Sequence, residues 1–403
     1  MKEQIIERTL YTDKIRPYIG QPIIKILTGQ RRIGKSFILR QIISIILQSD
    51  AKANIVYINK ELKEFDSILT DDDLYKNITS RLSVESNNYV LIDEIQEIPF
   101  FQHTLRSLLA EGNCDIYCTG SNANMLSGEL ATHLAGRYIE FPVHCLSYAE
   151  FLLFHKLDDT NESLQKYMKI GGMPYLIHFK GDERLCMEYL QNLYSTILLK
   201  DVIARKQIRN VNFMERLVNY LADNIGSLFS ASSISKYLKS QRQQLPTQMV
   251  IDYSTALSQA YFIYKVPRAD IQGLKIFEIG EKYFFEDLGI RNAIRGIYPL
   301  TEIQKWMENL VYMQLLRMGY DVFVGKSDTL EIDFVAQKIE NRLYIQVSFR
   351  LDVEKTMNRE VAALQRISDN FPKYIVTLDD FAVGTTPDGI RIIHLRQFLL
   401  GSF

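Results

Sequence analysis

The chain has 403 residues, of which 47% are hydrophobic and 24% charged, and its four cysteines lack CxxC spacing. This composition excludes a disordered or disulfide-stapled chain, and at about 150 residues per domain it predicts two to four domains. The net charge of −1 excludes a uniformly basic nucleic-acid-binding protein. Charged residues interrupt the apolar ones at the N-terminus, and no apolar run approaches about 18 residues. We therefore expect a cytoplasmic protein with no membrane partner.

The first predicted elements are a strand over residues 22–28 and a helix over residues 35–47. A glycine-bounded loop joins them, and in such a loop backbone N–H groups converge on phosphate oxygens at the helix N-terminus. Lys35 is expected to reach the β- and γ-phosphates of ATP, and the Ser36 hydroxyl to ligate Mg²⁺. The predicted nucleotide-binding residues are Gly29, Gln30, Arg31, Arg32, Ile33, Gly34, Lys35 and Ser36.

A second buried strand, over residues 89–94, ends in two adjacent acids. An acid in this position can hold Mg²⁺ through its water shell, and a second acid can polarise the attacking water as a general base. We assign the first role to Asp93 and the second to Glu94. A solvated turn is the alternative interpretation of the two acids taken alone.

Further strands are predicted over residues 53–59, 115–119 and 137–143, with helical patterns between them. This alternation predicts an α/β fold with a parallel sheet flanked by helices and with ligands at the C-terminal ends of the strands. Ser121 and Asn122 follow one such end, where either could sense the γ-phosphate or position water. A polar turn is the alternative.

Several segments carry a resemblance to a known family: Ile92-Asp93-Glu94-Ile95-Gln96, Thr119-Gly120-Ser121, Gly136-Arg137, Leu146-Ser147-Tyr148-Ala149-Glu150-Phe151, Gly171-Gly172-Met173-Pro174 and Leu199-Lys200-Asp201. Together they resemble, over nearly the whole chain, the prokaryotic AAA+ ATPases described as archaeal-ATPase-like. The resemblance implies that Ser121 is the sensor-1 residue and Arg137 an arginine finger. Because such a finger acts on the ATP of a neighbouring subunit, it also implies a homo-oligomeric, hexameric ring. A surface salt bridge is the other interpretation of Arg137.

The middle of the chain changes from a helical pattern over residues 146–205 to three helices and two strands. Residues 171–174 break the first pattern, which we interpret as a helical lid. Helices over 213–225, 232–240 and 247–260, followed by strands over 261–266 and 273–278, predict a winged helix.

This region is also basic. Residues 200–275 contain eleven Lys or Arg against five Asp or Glu, a local charge of +6 that leaves −7 for the remainder. DNA-backbone contacts are assigned to Lys236, Lys239, Arg242, Lys265, Arg268 and Lys275. The third helix is poor in positive charge, which leaves DNA-backbone binding without sequence specificity or protein docking, and a purely structural module is the alternative.

The last hundred residues predict a helix over 305–318, strands over 321–325, 330–336 and 342–349, a helix over 353–369 and a strand over 373–377. The order resembles the PD-(D/E)XK nuclease superfamily, with Glu308, Asp333 and Gln346 at the positions of the family's site. Ser348 stands where that family has lysine, and a serine hydroxyl cannot supply the missing charge. The resemblance therefore implies a degenerate nuclease site, although Arg350 or Arg359 could replace the lysine.

The predicted domains are an AAA+ P-loop core over 1–145, a helical lid over 146–210, a winged helix over 211–284 and a restriction-nuclease-like α/β domain over 285–403. The leading interpretation is a ring-forming ATPase that couples Mg²⁺-ATP hydrolysis to the remodelling or translocation of DNA, with a C-terminal domain that binds rather than cleaves. A nucleotide-dependent signalling switch and an ATP-regulated, metal-dependent DNA nuclease stay open as alternatives.

Overall fold

A computed structural model of the protein describes residues 6–123, 134, 136–240, 246–271, 275–276, 280–295, 302–327, 330–351 and 354–403. The chain forms two compact units. The first contains Met1–Cys145 and Gln259–Tyr261, and the second contains Leu146–Ser258 and Phe262–Phe403. Among the described helices, none is both long and apolar enough to cross a membrane.

The first unit is built on a five-stranded sheet. Its strands are β1 (Ile24–Thr28), β2 (Asn54–Asn59), β3 (Asn88–Asp93), β4 (Asp115–Gly120) and β5 (Tyr138–Pro142). They lie in the order β2-β3-β4-β1-β5, and every neighbouring pair is parallel. Strands β1 and β3 are buried along their whole length, as expected of central strands covered on both faces. The prediction of a parallel sheet is confirmed.

Helices join these strands and cover the sheet. They are α1 (Thr9–Ile15), α2 (Lys35–Ser49), α3 (Asp71–Thr79) and α4 (Phe101–Glu111). Apolar residues of β1 to β4 form one core with those of α3 and α4. The end of β3 is thereby fixed beside the end of β4, because both strands are held in a single packed layer.

The second unit begins with helices. They are α5 (Tyr148–His155), α6 (Asn161–Ile170), α7 (Glu183–Thr196), which continues as a π-helix (Ile197–Ala204), α8 (Val211–Asp223), α9 (Ala231–Ser240) and α10 (Thr247–Gln259). Gly171, with a φ of +75°, ends α6 at the position where the sequence predicts a break. The interpretation of this region as a lid stays a prediction.

A short hairpin follows. Strand β6 (Ile263–Val266) pairs antiparallel with β8 (Lys282–Phe285), and the run Tyr283–Phe285 is buried. Of the predicted strand over 273–278, the structure describes residues 275 and 276, and Ile276 forms an isolated bridge with Ala269 in β7 (Arg268–Asp270). The other residues of that predicted strand lie outside the described part of the chain. The winged helix stays a proposal.

The unit ends in a mixed seven-stranded sheet. Its other strands are β9 (Asp321–Ser327), β10 (Leu330–Gln337), β11 (Arg342–Ser348), β12 (Lys373–Thr377), β13 (Gly384–Thr385) and β14 (Arg391–His394). The order is β13-β14-β12-β11-β10-β9-β7. The accompanying helices are α11 (Leu288–Arg295), α12 (Ile303–Arg317), α13 (Glu354–Gln365) and α14 (Leu395–Leu400). The predicted order of a helix, three strands, a helix and a strand is present from α12 to β12.

Candidate functional site

The loop between β1 and α2 is shaped by its glycines. Gly29 has a φ of +136° and Gly34 a φ of +97°, values that side chains larger than glycine rarely adopt. A Cβ atom on Gly29 would lie 2.2 Å from the carbonyl oxygen of Val143. Arg8 also fixes this loop, because its guanidinium donates to the carbonyl oxygens of Ile33 (2.8 Å) and His144 (2.9 Å). The loop is therefore rigidly placed at the N-terminus of α2.

The Lys35 side chain folds over this loop. Its Nζ donates to the carbonyl oxygens of Gly29 (2.9 Å) and Gln30 (2.8 Å), and the residue is 4% exposed. Ser36 occupies the first turn of α2, which has no acidic residue and no side-chain cap. Both amide atoms of Gln30 are buried without a hydrogen-bond partner among the described residues. These observations fit a triphosphate, which offers oxygen acceptors to the ammonium and to the helix N–H groups.

Asp93 ends β3 and is held by residues of both neighbouring strands. Its Oδ1 accepts from Thr119 Oγ1 of β4 at 2.6 Å, and its Oδ2 accepts from Tyr57 Oη of β2 at 3.2 Å. The same Thr119 oxygen accepts from the backbone N–H of Glu94 at 2.9 Å. One threonine hydroxyl thus orients both acids. The carboxylate of Asp93 fits Mg²⁺ by its chemistry, since hard cations prefer oxygen ligands.

Glu94 turns the chain at the end of β3 and is 7% exposed. Its φ is +56°, an uncommon conformation for a residue with a side chain. Its Oε2 accepts from Gln96 Nε2 and from Ser121 Oγ at 3.3 Å. Burial acts to raise the pKa of the Glu94 carboxyl, but the Lys35 ammonium, with the bond from Gln96, holds that pKa below its ordinary value. Glu94 is therefore ionised and able to accept a proton.

The residue that follows β4, Ser121, adds a further contact to Glu94. Ser121 is 1% exposed and accepts from Gln96 Nε2 at 3.2 Å while donating to Glu94. Asn122 follows it and is also buried. Arg137 lies apart from this pattern, exposed at the start of the edge strand β5. The structure thus joins Ser121 to Glu94 and places Arg137 at the surface.

A second polar cluster lies in the other unit, where Lys282 of β8 meets three carboxylates. Its Nζ is 2.8 Å from Glu331 Oε1, 3.9 Å from Glu308 Oε2 and 3.9 Å from Asp333 Oδ1. Burial acts to lower the pKa of the Lys282 ammonium, yet Glu308, Asp333 and Glu331 together raise that pKa above its ordinary value. Burial in turn raises the pKa of the Glu308 and Asp333 carboxyls. The three acids share the charge of one buried lysine.

Gln346 lies in this cluster, but its amide is already bonded within the fold. Its Oε1 accepts from the backbone N–H of Asp333 at 2.8 Å, and its Nε2 donates to Glu360 Oε2 at 3.0 Å. Asp333 Oδ2 accepts from the N–H of Val347 at 2.8 Å, so that its Oδ1 is the oxygen turned toward Lys282. Gln346 therefore links β10, β11 and α13.

The cation of this cluster lies far in sequence from Ser348, Arg350 and Arg359. Ser348 Oγ donates to the carbonyl oxygen of Arg350 at 3.1 Å. The Arg359 side chain is 73% exposed and pairs with Glu360. The cation that meets the three acids is Lys282, 51 positions before Asp333. Its sequence signal was a lysine that begins the apolar run Tyr283-Phe284-Phe285.

Comparisons with known proteins match two parts of the chain to family models. Residues 21–152 match an AAA domain, and residues 161–301 match a domain of unknown function (DUF8612). The first match contains residues 29–36, Asp93, Glu94 and Ser121, whereas Arg8 lies before it. The second spans the helices α6 to α11 and the strands β6 to β8, and it ends before β9.

Similar proteins are known from bacteria and archaea. An uncharacterized protein of Haemophilus influenzae is 35% identical over 99% of this chain and 100% of its own length. An uncharacterized protein of Methanocaldococcus jannaschii is 28% identical, with 93% of this chain and 87% of the relative covered. Among solved structures, Cdc6p of Pyrobaculum aerophilum aligns with a TM-score of 0.33 at 12% identity over 73% of this chain and 97% of that one. A structural likeness of this size carries no conclusion about function.

Proposed function

Because the chain belongs to the same family as the Haemophilus influenzae protein and carries an AAA domain over residues 21–152, we propose that it is an ATPase that couples Mg²⁺-ATP hydrolysis to work on DNA. The observation that carries the proposal is the convergence of the phosphate-binding loop with two acids fixed at the end of β3. Lys35 and Glu94 are both buried, and the charge of Lys35 acts on the Glu94 carboxyl.

The roles of the residues follow from their contacts. The N–H groups of residues 29–36 and the Lys35 ammonium would hold the phosphates, while the Ser36 hydroxyl and Asp93 would hold Mg²⁺. Bound Mg²⁺ would neutralise charge on the β- and γ-phosphates. Glu94 accepts the proton of the attacking water. Thr119 bonds the Asp93 carboxylate and the Glu94 backbone N–H, and so holds the two acids in fixed positions relative to each other. Arg137 would act on the ATP of a neighbouring subunit.

Assembly into a hexameric ring is part of the proposal. What supports it is the position of Arg137 in the motif pattern of the family it resembles, together with its exposure on the edge strand. A guanidinium that serves a neighbouring subunit must reach beyond its own chain, and an exposed residue at the sheet edge can do so.

Work on DNA is supported by the basic middle of the chain. Among the described residues of this region, Lys200, Arg209, Arg216, Lys236, Lys265 and Lys275 are exposed. Two of the cations assigned from the sequence are engaged by acids: Lys265 with Glu281 at 3.1 Å and Arg268 with Glu331 at 3.7 Å. The side chain of Lys239 and the whole of Arg242 lie outside the described residues. The remaining cations favour contact with the phosphate backbone without sequence specificity.

Cleavage of DNA is a second candidate function, and one observation favours it. Lys282 brings to Glu308 and Asp333 the positive charge that Ser348 cannot supply. We place binding ahead of cleavage, because Lys282 is ion-paired with Glu331 and the amide of Gln346 is bonded within the fold. The C-terminal domain would then be a DNA-binding or assembly surface.

The test of the ATPase assignment is turnover with Mg²⁺. We expect wild-type protein to hydrolyse ATP, and both Lys35→Ala and Glu94→Gln to lower kcat by at least about 100-fold. Lys35→Ala should also weaken nucleotide binding, whereas Glu94→Gln should retain it, since only the lysine contacts phosphate. Lys52→Ala, at an exposed position, is the matched control. Unchanged turnover in both site variants would refute the assignment.

A further inference from the structure

The side chain of Gln96 has an unusual pattern of hydrogen bonds. Gln96 lies in the short 3₁₀ helix Ile95–Glu97 that follows Glu94. Its Nε2 donates to Glu94 Oε2 and to Ser121 Oγ. Its Oε1 is buried and has no hydrogen-bond partner among the described residues. A buried carbonyl oxygen without a donor costs about 1–3 kcal/mol, so its presence beside the proposed proton acceptor calls for a functional reason.

Glu94 fixes which way the Gln96 amide points. A carboxylate oxygen only accepts hydrogen bonds, so it must face the amide nitrogen and not the amide oxygen. Rotating the amide by 180° would set Gln96 Oε1 against Glu94 Oε2, with two negative atoms in contact. Ser121 Oγ accepts from the same nitrogen at 3.2 Å and donates to Glu94, which closes a ring of three side chains. The oxygen of Gln96 is therefore held as an acceptor beside Glu94.

We propose that Gln96 is a catalytic residue whose Oε1 accepts a hydrogen bond from the water that attacks ATP, a role that rests on the proposed ATPase function. A water molecule has two O–H groups. One would point to Glu94 and the other to Gln96, so that a lone pair of the water oxygen is left for the phosphorus. Two fixed acceptors define the orientation of the water, whereas Glu94 alone leaves it free to rotate about one hydrogen bond.

Hydrolysis forms one bond to phosphorus, breaks another and transfers one proton in this arrangement. The water oxygen forms a bond to the γ-phosphorus, and the bond from that phosphorus to the β,γ-bridging oxygen breaks, with its electron pair leaving on ADP. One water proton passes to Glu94, which returns it to the released phosphate. The second proton stays on the oxygen that Gln96 holds. Gln96 exchanges no proton in this step, and its contribution is orientation.

The variant Gln96→Met tests this role, because methionine has nearly the same length but neither donates nor accepts as an amide does. We expect kcat to fall about 100-fold or more, the range for a positioned group that acts in the transition state. Binding of ADP with aluminium fluoride, which imitates the attacked phosphate, should weaken by a similar factor. Affinity for a non-hydrolysable ATP analogue should stay within about twofold of wild type.

Two further variants sharpen the comparison. Gln96→Asn keeps the amide but withdraws it by one methylene, and we expect a loss like that of Gln96→Met. Gln48→Met is the matched control, since Gln48 is exposed and lies twelve positions beyond Ser36 in α2, about 18 Å along the helix. It should behave as wild type in all three measurements.

The outcomes separate this proposal from the ATPase assignment. A wild-type protein without turnover would overturn the assignment and this role with it. Wild-type turnover together with a kcat for Gln96→Met within about threefold of it would overturn the role of Gln96 alone. A loss of analogue affinity in proportion to kcat would also overturn it, because Gln96 would then be shaping the nucleotide pocket and not orienting water.

Discussion

At the scale of single residues, shared hydrogen bonds organise one polar cluster and ion pairs to a shared lysine organise the other. The Thr119 hydroxyl donates to Asp93 and accepts from the N–H of Glu94, so one side chain of β4 orients two acids of β3. The hydroxyl of Thr119 thus donates one hydrogen bond and accepts another. In the second unit one ammonium, that of Lys282, serves three carboxylates. Each cluster therefore has one residue that contacts several acids at once, although Tyr57 also bonds Asp93 and Arg268 also pairs with Glu331.

The dependence on Lys282 leads to a stability prediction. The side chain is 6% exposed, and Lys282→Met would leave Glu308 and Asp333 without their shared cation, whereas Glu331 would keep its pair with Arg268. Breaking a buried ion pair from one side costs about 3–5 kcal/mol, because the remaining charge stays buried. We expect a loss of this size in the free energy of unfolding, measured by urea denaturation of the full chain.

Lys265 provides the matched control for this experiment. It lies in the paired strand β6, forms an ion pair with Glu281, and its side chain is 54% exposed. Exposed pairs contribute about 0–1 kcal/mol, so Lys265→Met should change the free energy of unfolding little. Equal losses of unfolding free energy in the two variants would contradict the prediction, because the buried ion pairs of Lys282 would then contribute no more than the exposed pair of Lys265.

At the scale of elements, close backbone contact positions the helices of the second unit. Helix α11 begins against the end of α6, where Asn292 Nδ2 donates to the carbonyl oxygens of Met168 (3.0 Å) and Lys169 (2.9 Å). The last carbonyls of a helix have no partner within it, and this side chain satisfies them. Asp287 adds a bond to the N–H of Gly172 at 2.6 Å. The junction after α6 is therefore held from one side by α11.

Glycine at position 289 makes this contact possible. A Cβ atom there would lie 2.0 Å from the carbonyl oxygen of Ile170, well inside van der Waals contact. Gly289→Ala should push α11 from α6 and lower the free energy of unfolding by about 1–3 kcal/mol, the usual range for overpacking. Gly384→Ala, where a Cβ meets nothing within 4 Å, should change it by less than about 0.5 kcal/mol. Thermal unfolding of both variants is the measurement, and an unshifted Tm for Gly289→Ala would contradict the prediction.

At the scale of the whole molecule, the uneven distribution of charge along the chain bears on its proposed function. Residues 200–275 carry +6 in a chain whose total is −1. A protein that neutralises DNA phosphates releases counterions, and each contact changes the slope of log K against log salt concentration by about −0.9. The electrostatic contribution is therefore measurable without knowledge of the DNA structure that the protein acts on.

We expect duplex or branched DNA to bind with affinity that falls steeply as salt rises. Replacing the exposed Arg209 and Lys236 with Gln should make the slope shallower by about 2, since each substitution leaves one phosphate without its cation. Replacing Lys52 and Lys63 with Gln, exposed cations of the first unit, should leave the slope unchanged. Fluorescence anisotropy across a salt series gives both values. Absence of any DNA binding at low salt would remove DNA from the proposed function.

The elements that carry the proposed nucleotide site could be predicted from the sequence because their signals are local. A strand, a glycine-bounded loop and a helix are consecutive, so spacing alone predicts the loop over residues 29–36 and the acids Asp93 and Glu94. The parallel sheet follows from the same alternation. The pairing of β6 with β8 was not predicted, because a short apolar run at 261–266 fits more than one neighbour.

Only the tertiary structure decided which distant side chains meet. Gln96 and Ser121 are 25 positions apart and come together because β3 and β4 are neighbours in the sheet. Lys282 of β8 reaches Asp333 of β10 across 51 positions, and no sequence pattern indicated this contact. Hydrophobic period and glycine position specify local backbone, whereas convergence across tens of residues depends on strand order and side-chain packing, which no local pattern encodes.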